Sequence, residues 1–517
     1  MKTLKFKNEV YLDFSQSSNK KKMLEAIKKA ESQFTKEYPL IIGKEKIFNQ
    51  DKLVSYNPSK KDEIVGVCQK ATAEQANQAI EVAYETFKTW KNVPAKKRAE
   101  YLFKAANLIK KRRFEFNSWL ILETGKNYAE ADADVAEAID FLNFYGSEVL
   151  RYAEKQPVVK YPGENNELIY IPLGVGVVIP PWNFPLAILV GMTSAAFGSG
   201  NTVVLKPSSD SPVIASKFME VLEEIKLPAG VVNLVTGSGA KVGDTLVAHP
   251  KTRFISFTGS KEVGLHINEL ASKTMLGQIW IKRVVAEMGG KDSIIVDSEA
   301  NLELAVDGVV TSAFGFQGQK CSACSRAIVD EKVYDKFINL LIPKVNEINV
   351  GPAKENYKVG PVINAKAEQT IMNYIEIGKN EGKLVCGGEK ARDDGYYIKP
   401  TVIIDVDPKA RISQEEIFGP VLAVIKAKNF DNALEIANNT EYGLTGAVYT
   451  KNRKKIELAK KEFHVGNLYF NRKCTGALVG VHPFGGFNMS GTDSKAGGRD
   501  YLLLFMQAKS ISEKIKF

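Results

Sequence analysis

Apolar residues recur at three- and four-residue spacing through residues 74–91 and 93–113, with Lys, Glu and Arg between them. That period predicts two amphipathic helices, each with one buried face. Short β-branched runs at 203–205, 231–235, 254–257 and 293–296 predict buried strands. Each is followed by a turn signal and then a helical stretch, the alternation of a parallel sheet with crossover helices. A second alternation begins near Leu302: a helix to Phe316, a strand at 325–329, a helix from Val333 and a strand at 402–404. The tail from Gly497 carries a strand-like run at 501–506 and a Lys-rich end, a form suited to pairing with another subunit. The fold class is α/β.

Residues 168–202 contain no charged side chain and are mostly apolar. Pro172, Pro180, Pro181 and Pro185 break any spanning helix there and leave backbone polar groups stranded in lipid. The stretch therefore reads as buried strand, loop and helix, with no membrane partner. The segment Met1-Lys2-Thr3-Leu4-Lys5-Phe6-Lys7 lacks the apolar core of a secretory signal. With five cysteines in 517 residues there is no disulfide framework, so a cytoplasmic, reducing compartment is expected. Such a length implies about three domains. The net charge of +10 raises the question of nucleic acid, but Lys and Arg are interleaved with Asp and Glu. The clusters at 20–22 and 110–113 fall on helical patterns, where a solvated face is expected, and no nucleic-acid partner is predicted.

Candidate chemistry centres on Gly318-Gln319-Lys320-Cys321-Ser322-Ala323-Cys324-Ser325-Arg326, preceded by Glu287-Met288-Gly289-Gly290-Lys291. A thiol in a small-residue loop and a carboxylate on another Gly-marked turn suit a covalent thio-intermediate that is later hydrolysed. Other readings stay open. Cys321 and Cys324 form C-x-x-C, the spacing of a thiol–disulfide oxidoreductase. A buried, inert cysteine is the plainer alternative. A zinc site lacks ligands, because no second C-x-x-C exists and none of the four histidines is near in sequence; no metal is predicted.

Gly237-Ser238-Gly239 with Gly243 falls one residue off the dinucleotide fingerprint, and these glycines equally suit a strand end and a helix start. Phe257-Thr258-Gly259-Ser260-Lys261-Glu262-Val263-Gly264 follows a predicted strand and opens a helix whose N–H groups suit a pyrophosphate. Lys206 directly follows a strand, at the end where open α/β sheets bind ligands. Pro180-Pro181-Trp182-Asn183-Phe184-Pro185 is a stiff loop aiming one amide, which is what an oxyanion site requires. The alternative is an amide that only ties the loop together.

Taken in order, Pro181-Trp182-Asn183, Lys206-Pro207, Phe257-Thr258-Gly259-Ser260, Glu287-Met288-Gly289-Gly290-Lys291, Gly318-Gln319-Lys320-Cys321, Glu415-Glu416-Ile417-Phe418-Gly419-Pro420, Gly466-Asn467 and Pro483-Phe484-Gly485-Gly486 resemble the aldehyde dehydrogenase superfamily over nearly the whole chain. The resemblance implies a Rossmann-type NAD(P) domain (1–154 and 172–286), an α/β catalytic domain (287–482) and a β-arm for homo-oligomerisation (155–171 and 483–517). It implies Cys321 as nucleophile, Asn183 and the Cys321 N–H as oxyanion donors, and Glu287 as the base that activates water. Lys206 and Glu416 are implied to hold the two riboses of NAD, with Phe418 near the nicotinamide and Gly239, Gly243, Thr258, Gly259, Ser260 and Val263 lining the cofactor. Ser209 stands where many NAD-specific members carry Glu. Ser does not repel a 2′-phosphate, so NADP is admitted beside NAD.

Further segments resemble the branch that oxidises L-glutamate γ-semialdehyde, formed from 1-pyrroline-5-carboxylate, to L-glutamate in proline and arginine catabolism. They are residues 319–326, 466–472, Cys474-Thr475-Gly476-Ala477, 483–493 and 129–141. The likeness implies that Ser322 and the N–H groups of Gly476 and Ala477 hold the substrate α-carboxylate and Glu137 the α-ammonium, with Phe184 and Phe484 beside them. Lys473 departs from that pattern, where Gly is usual. A succinate semialdehyde dehydrogenase remains the neighbouring alternative; a CoA-acylating one lacks a base at the Glu287 position.

Overall fold

The computed structural model describes residues 6–515. Most of the amino-terminal segment read for a secretory core (residues 1–5), and Lys516 and Phe517 of the basic tail, lie outside the described residues. Two seven-stranded sheets organise the chain. The first has the spatial order Arg283–Glu287, Thr252–Thr258, Val175–Ile179, Thr202–Leu205, Val232–Leu234, Leu40–Ile42, Glu45–Ile47. Its first five strands are parallel and its last two are antiparallel. Thr202–Leu205 is buried throughout, which is why its sequence is a continuous apolar run and not an alternation. Strand order runs outward in both directions from Val175–Ile179. The carboxyl ends at Ile179 and Thr258 therefore flank a topological switch point, where the departing loops leave a crevice.

The second sheet runs Lys383–Cys386, Thr401–Ile404, Val421–Ala427, Cys324–Asp330, Asp292–Val296, Thr445–Tyr449, Asn467–Phe470, with only the Lys383–Cys386 edge antiparallel. Residues 288–291 alone connect the last strand of the first sheet to Asp292–Val296. The carboxyl edge of one sheet thus meets the amino edge of the other, and the site lies along that seam.

The helix expected over 74–91 is Ala73–Trp90, opened by a capping box between Thr72 and Gln75. The pattern at 93–113 instead covers Ala95–Lys111 and the start of a second helix, Arg113–Thr124, because the chain bends at Arg112 (φ −94°, ψ 17°). The helix from Leu302 stops at Phe314, and Gly315–Gly318 turns as a 3₁₀ segment. The run at 501–506 is not a strand: Tyr501–Phe505 is a 3₁₀ turn whose Tyr501, Leu502 and Phe505 are buried. A short apolar run fits either form, and the core decides, with Tyr501 stacked on Tyr145 at 5.5 Å. The strand begins at Met506 and pairs through Lys514 with Glu164–Pro172 in a two-stranded ribbon whose Met506–Lys514 side chains are exposed after Met506. Between the bridge of Glu287 with Gly491 and the buried Tyr501, Leu502 and Phe505, the chain after Pro483 lies against the first sheet before it enters the ribbon.

No helix among the described residues is long and apolar enough to cross a membrane. The charge-free stretch forms part of the ribbon strand, the buried strand Val175–Ile179 and the helix Ala187–Gly198.

Gly176 lies mid-strand with the Cζ end of the Phe254 ring against it, and a Cβ there overlaps the ring. Phe254 is fully buried and held edge-to-face by Phe505 at 5.3 Å, so it has nowhere to move. Gly176→Ala is expected to lose about 1–3 kcal/mol by overpacking. Urea unfolding checks this; an unchanged midpoint contradicts the packing account.

Candidate functional site

Cys321 sits in a turn closed by the Ala323 N–H donating to the Lys320 carbonyl at 3.0 Å. The three residues Phe316 (φ 49°), Gln317 (57°) and Gly318 (69°) lead into it in the left-handed region. Such backbone costs on the order of 1 kcal/mol per non-glycine residue and persists only where surroundings enforce it. Here Gln317 Nε2 donates to the carbonyls of Gly125 (3.1 Å) and Pro361 (2.7 Å), and the Ile363 N–H donates to Gln319 Oε1 (2.9 Å). Gly318 is required twice over, since a Cβ there strikes the Gly419 carbonyl.

Asn183 is buried, and its Nδ2 donates to the Gln319 carbonyl at 3.1 Å, while its Oδ1 accepts from the Phe184 N–H at 3.1 Å. The amide both ties the two loops and keeps a second N–H beside Cys321. The Cys321 backbone N–H has no acceptor among the described residues. Beneath the loop, the fully buried Lys126 places its Nζ 4.1 Å from the Phe184 ring centre and 4.0 Å from that of Phe316. Asp134 Oδ2 lies 3.4 Å from the same ammonium. Sequence patterns gave no sign of this brace.

Glu287 ends its strand with one carboxylate oxygen accepting from Ser494 Oγ and the other, Oε2, buried without a partner among the described residues. Burial pushes its carboxyl up to about 8. Burial, then the negative neighbours Asp292, Glu416 and Glu287, push the Cys321 thiol up. The resting sulfur is a neutral thiol.

Two cavities meet at Cys321, which together with Thr258 and Met288 lines both. The larger, about 1020 Å³, opens at the switch point of the first sheet. Asn183, Lys206, Ser209, Gly239, Gly243, Thr258, Gly259, Ser260, Val263, Glu416 and Phe418 all line it. Lys206 is buried, its ammonium hydrogen-bonded among the described residues only to the Pro207 carbonyl (3.3 Å), and burial lowers it to about 8. Glu416 accepts one N–H, from Gly290 at 3.1 Å, and burial raises it to about 7. A Cβ on Gly289 would fill the place of that carboxylate. A lone cation and a nearly lone acid on opposite sequence segments of one cavity suit the hydroxyls of two riboses. Gly239–Gly243 is a π-helical turn, and Gly259 N–H is committed to the Glu287 carbonyl at 3.1 Å. Ser260 Oγ caps the helix Lys261–Ser272 through Val263 N–H at 3.4 Å. Among the described residues the N–H groups of Ser260, Lys261 and Glu262 there have no acceptor. Phe418 stands edge-on to Trp182 at 5.5 Å. Ser209 Oγ donates to the Gly237 carbonyl at 3.3 Å, and Asp210, which the sequence reading passed over, lines the same wall. The wall at Ser209 is therefore not free of negative charge.

The smaller cavity, about 360 Å³, gathers Glu137, Phe184, Glu287, Ser322, Gly476, Ala477 and Phe484. Gly476 has φ +77°, and Arg472 Nη2 braces its loop by donating to the carbonyls of Thr475 (2.9 Å) and Gly476 (3.1 Å). The N–H groups of Gly476 and Ala477 and the Ser322 hydroxyl find no acceptor among the described residues. Glu137 is pushed up to about 8, first by burial and then by Asp134. Lys320, paired with Glu130 at 2.8 Å, and Lys473 also face this cavity. Lys473 extends over the loop, its Cε 3.2 Å from where a Gly476 Cβ would be. Tyr11 and Leu12 close one side, and no motif announced them.

Cys324 faces away from both cavities, buried at the head of its strand with Sγ donating to the Arg326 carbonyl at 3.4 Å. Cys321 opens onto the cavities instead, so the C-x-x-C does not present two thiols to one surface.

The aldehyde dehydrogenase family model matches residues 47–511. Similar curated proteins include the 1-pyrroline-5-carboxylate dehydrogenase of Geobacillus thermodenitrificans, 58% identical over 509 residues and covering 98% of this chain and 99% of the relative. The enzyme of that name from Bacillus cytotoxicus is 58% identical over 511 residues, covering 99% of each. The solved structure of 1-pyrroline-5-carboxylate dehydrogenase from Thermus with bound NAD has a TM-score of 0.98 at 51% identity, covering 99% of this chain and all of that one (100%). Betaine aldehyde dehydrogenase from Staphylococcus aureus in complex with NAD+ has a TM-score of 0.88 at 28% identity, covering 96% and 98%. The chain belongs to the aldehyde dehydrogenase family.

Proposed function

We propose that this chain oxidises L-glutamate γ-semialdehyde, the open form of 1-pyrroline-5-carboxylate, to L-glutamate with NAD, a step of proline and arginine breakdown. The observation that carries the reading is the meeting of two cavities at one thiol, beside a carboxylate with a free buried oxygen. Lys206 and Glu416 hold the dinucleotide's riboses, and the N–H groups of Ser260 and Lys261 face its phosphates. When bound, the nicotinamide supplies the acceptor for the hydride that leaves the substrate carbon. NADP fits less well, because Asp210 adds negative charge beside Ser209.

The sulfur of Cys321 bonds to the aldehyde carbon as its proton leaves to solvent, and the carbonyl oxygen becomes an oxyanion. Asn183 Nδ2 and the Cys321 N–H donate to it. Removing one such donor typically costs about 10²–10³ in rate. After hydride loss the carbon is a thioester. Glu287 takes a proton from water; the resulting hydroxide adds to the carbon, the C–S bond breaks, and the leaving sulfur takes that proton from Glu287, restoring the thiol and the carboxylate. Ser322, Gly476 and Ala477 anchor the α-carboxylate, Lys473 adds positive charge over it, and Glu137 meets the α-ammonium. The exposed ribbon Glu164–Pro172 with Met506–Lys514 offers its edges to a second copy of the chain. Five free thiols suit a reducing cytoplasm.

Steady-state assay of glutamate semialdehyde, succinate semialdehyde and propionaldehyde tests the assignment. Each absent charge-assisted contact is expected to cost about 1–3 kcal/mol, so kcat/KM falls in that order, roughly ten- to a hundredfold per step. Cys321→Ala abolishes all three activities. Equal kcat/KM for propionaldehyde and glutamate semialdehyde contradicts the substrate, and an active Cys321→Ala contradicts the chemistry.

Because burial raises Glu287 to about 8, its base form grows as pH rises through that value. Hydrolysis-limited kcat is expected to climb with pH and level off above about 8. A flat kcat profile between about pH 6 and 9 removes Glu287 from the hydrolytic step.

A further inference from the structure

The helix Tyr128–Tyr152 sends several carboxylates toward the smaller cavity, and they divide their work. Asp140 accepts from Asn8 Nδ2 at 2.9 Å and from the Glu9 N–H at 2.7 Å. Asp132 accepts from the Leu12 N–H at 2.7 Å and is clamped by Arg113 Nε (2.7 Å) and Nη2 (2.6 Å). Arg113 Nη2 also donates to the Val10 carbonyl at 2.9 Å. Glu137, between these two, accepts no hydrogen bond among the described residues and keeps its carboxyl for the cavity.

The dimensions match. Asp132 to Asp140 spans about 12 Å of helix, and Glu9 to Leu12 spans about 10 Å of extended chain. Residues 9–12 are therefore held straight along the helix, with Tyr11 set against the Glu137 stretch. Tyr11 is 55% exposed yet lines the cavity with Leu12, so its ring forms the rim. These residues lie outside the segment 47–511 that the family model matches, although the nucleophile and the base lie inside it. The catalytic machinery belongs to the common frame, whereas this part of the substrate wall does not.

We infer that residues 8–12 form a substrate-selecting strap, in which Asp132 and Asp140 are positioning residues and Tyr11 limits the size of aldehyde admitted to Cys321. This rests on the reading of the chain as an aldehyde oxidiser, and deepens it at the substrate end. The strap narrows the cavity for bulky apolar chains and shelters the end where Glu137 acts.

The test compares hexanal with propionaldehyde in the full-length enzyme. In Tyr11→Ala the hexanal-to-propionaldehyde ratio of kcat/KM is expected to rise about tenfold, the size of effect that a change of pocket volume gives. Asn8→Asp sets a second carboxylate against Asp140 and loosens the strap from outside the cavity, and the same rise is expected, carried by KM for hexanal. Tyr11→Phe keeps the ring and is expected to restore the wild-type ratio. Melting temperatures of all three variants confirm folding. A ratio unchanged within about twofold in both Tyr11→Ala and Asn8→Asp overturns the strap. Both aldehydes are uncharged, so this result is independent of whether the wild-type enzyme prefers glutamate semialdehyde.

Discussion

Glu287, Glu416, Lys206 and the Cys321 thiol are all withdrawn from water where the two sheets meet, and burial moves each against its charged form. The buried Lys291 beside them, lowered to about 7 by burial and with no hydrogen-bond partner on its Nζ among the described residues, belongs to the same pattern. Leaving polar groups unsatisfied in this way costs free energy that the rest of the fold must offset. The fully buried strands and the helices packed on them supply the rigid frame that allows it. In the proposed complex with cofactor and substrate those same groups acquire partners, and on that reading the desolvated seam is preorganised for charges that arrive with the ligands and develop during reaction.

Rigidity at the nucleophile has a separate source. Consecutive left-handed residues from Phe316 to Gly318 set the approach of the loop, and Gln317 and Gln319 pin it to Gly125, Pro361 and Ile363. The Asn183 amide reaches the Gln319 carbonyl, and the Lys126 ammonium lies against the rings of Phe184 and Phe316. Asn183, Phe184 and Cys321, the proposed oxyanion donor, substrate wall and nucleophile, are therefore held as one unit. The strap makes a further layer, attached through aspartates on the helix that also presents Glu137.

Local pattern made much of this legible. Three strands in each seven-stranded sheet followed from β-branched runs, and the loops bearing Asn183, Lys206, Glu287 and Cys321 stood out because glycine and proline mark turns whose backbone must come close to a ligand. What local pattern lacks is information about distant partners. The bend at Arg112 and the 3₁₀ turn at Tyr501 are decided by packing, since apolar spacing there suits more than one element. Asp140 meets Glu9 across 131 positions of sequence, and the strap itself carries no motif. Asp210 is illegible for a related reason: nothing in the local pattern shows that it lines the same cavity wall as Ser209.

The account turns on a thioester at Cys321 that Glu287 hydrolyses. Glu287→Gln, mixed with NAD and glutamate semialdehyde and examined by intact-protein and peptide mass spectrometry, tests it most directly. The account predicts that an acyl adduct accumulates on the peptide containing Cys321, at a yield near one per chain, together with a single equivalent of NADH. Turnover at the wild-type rate with no adduct, or an adduct on another cysteine, would contradict it.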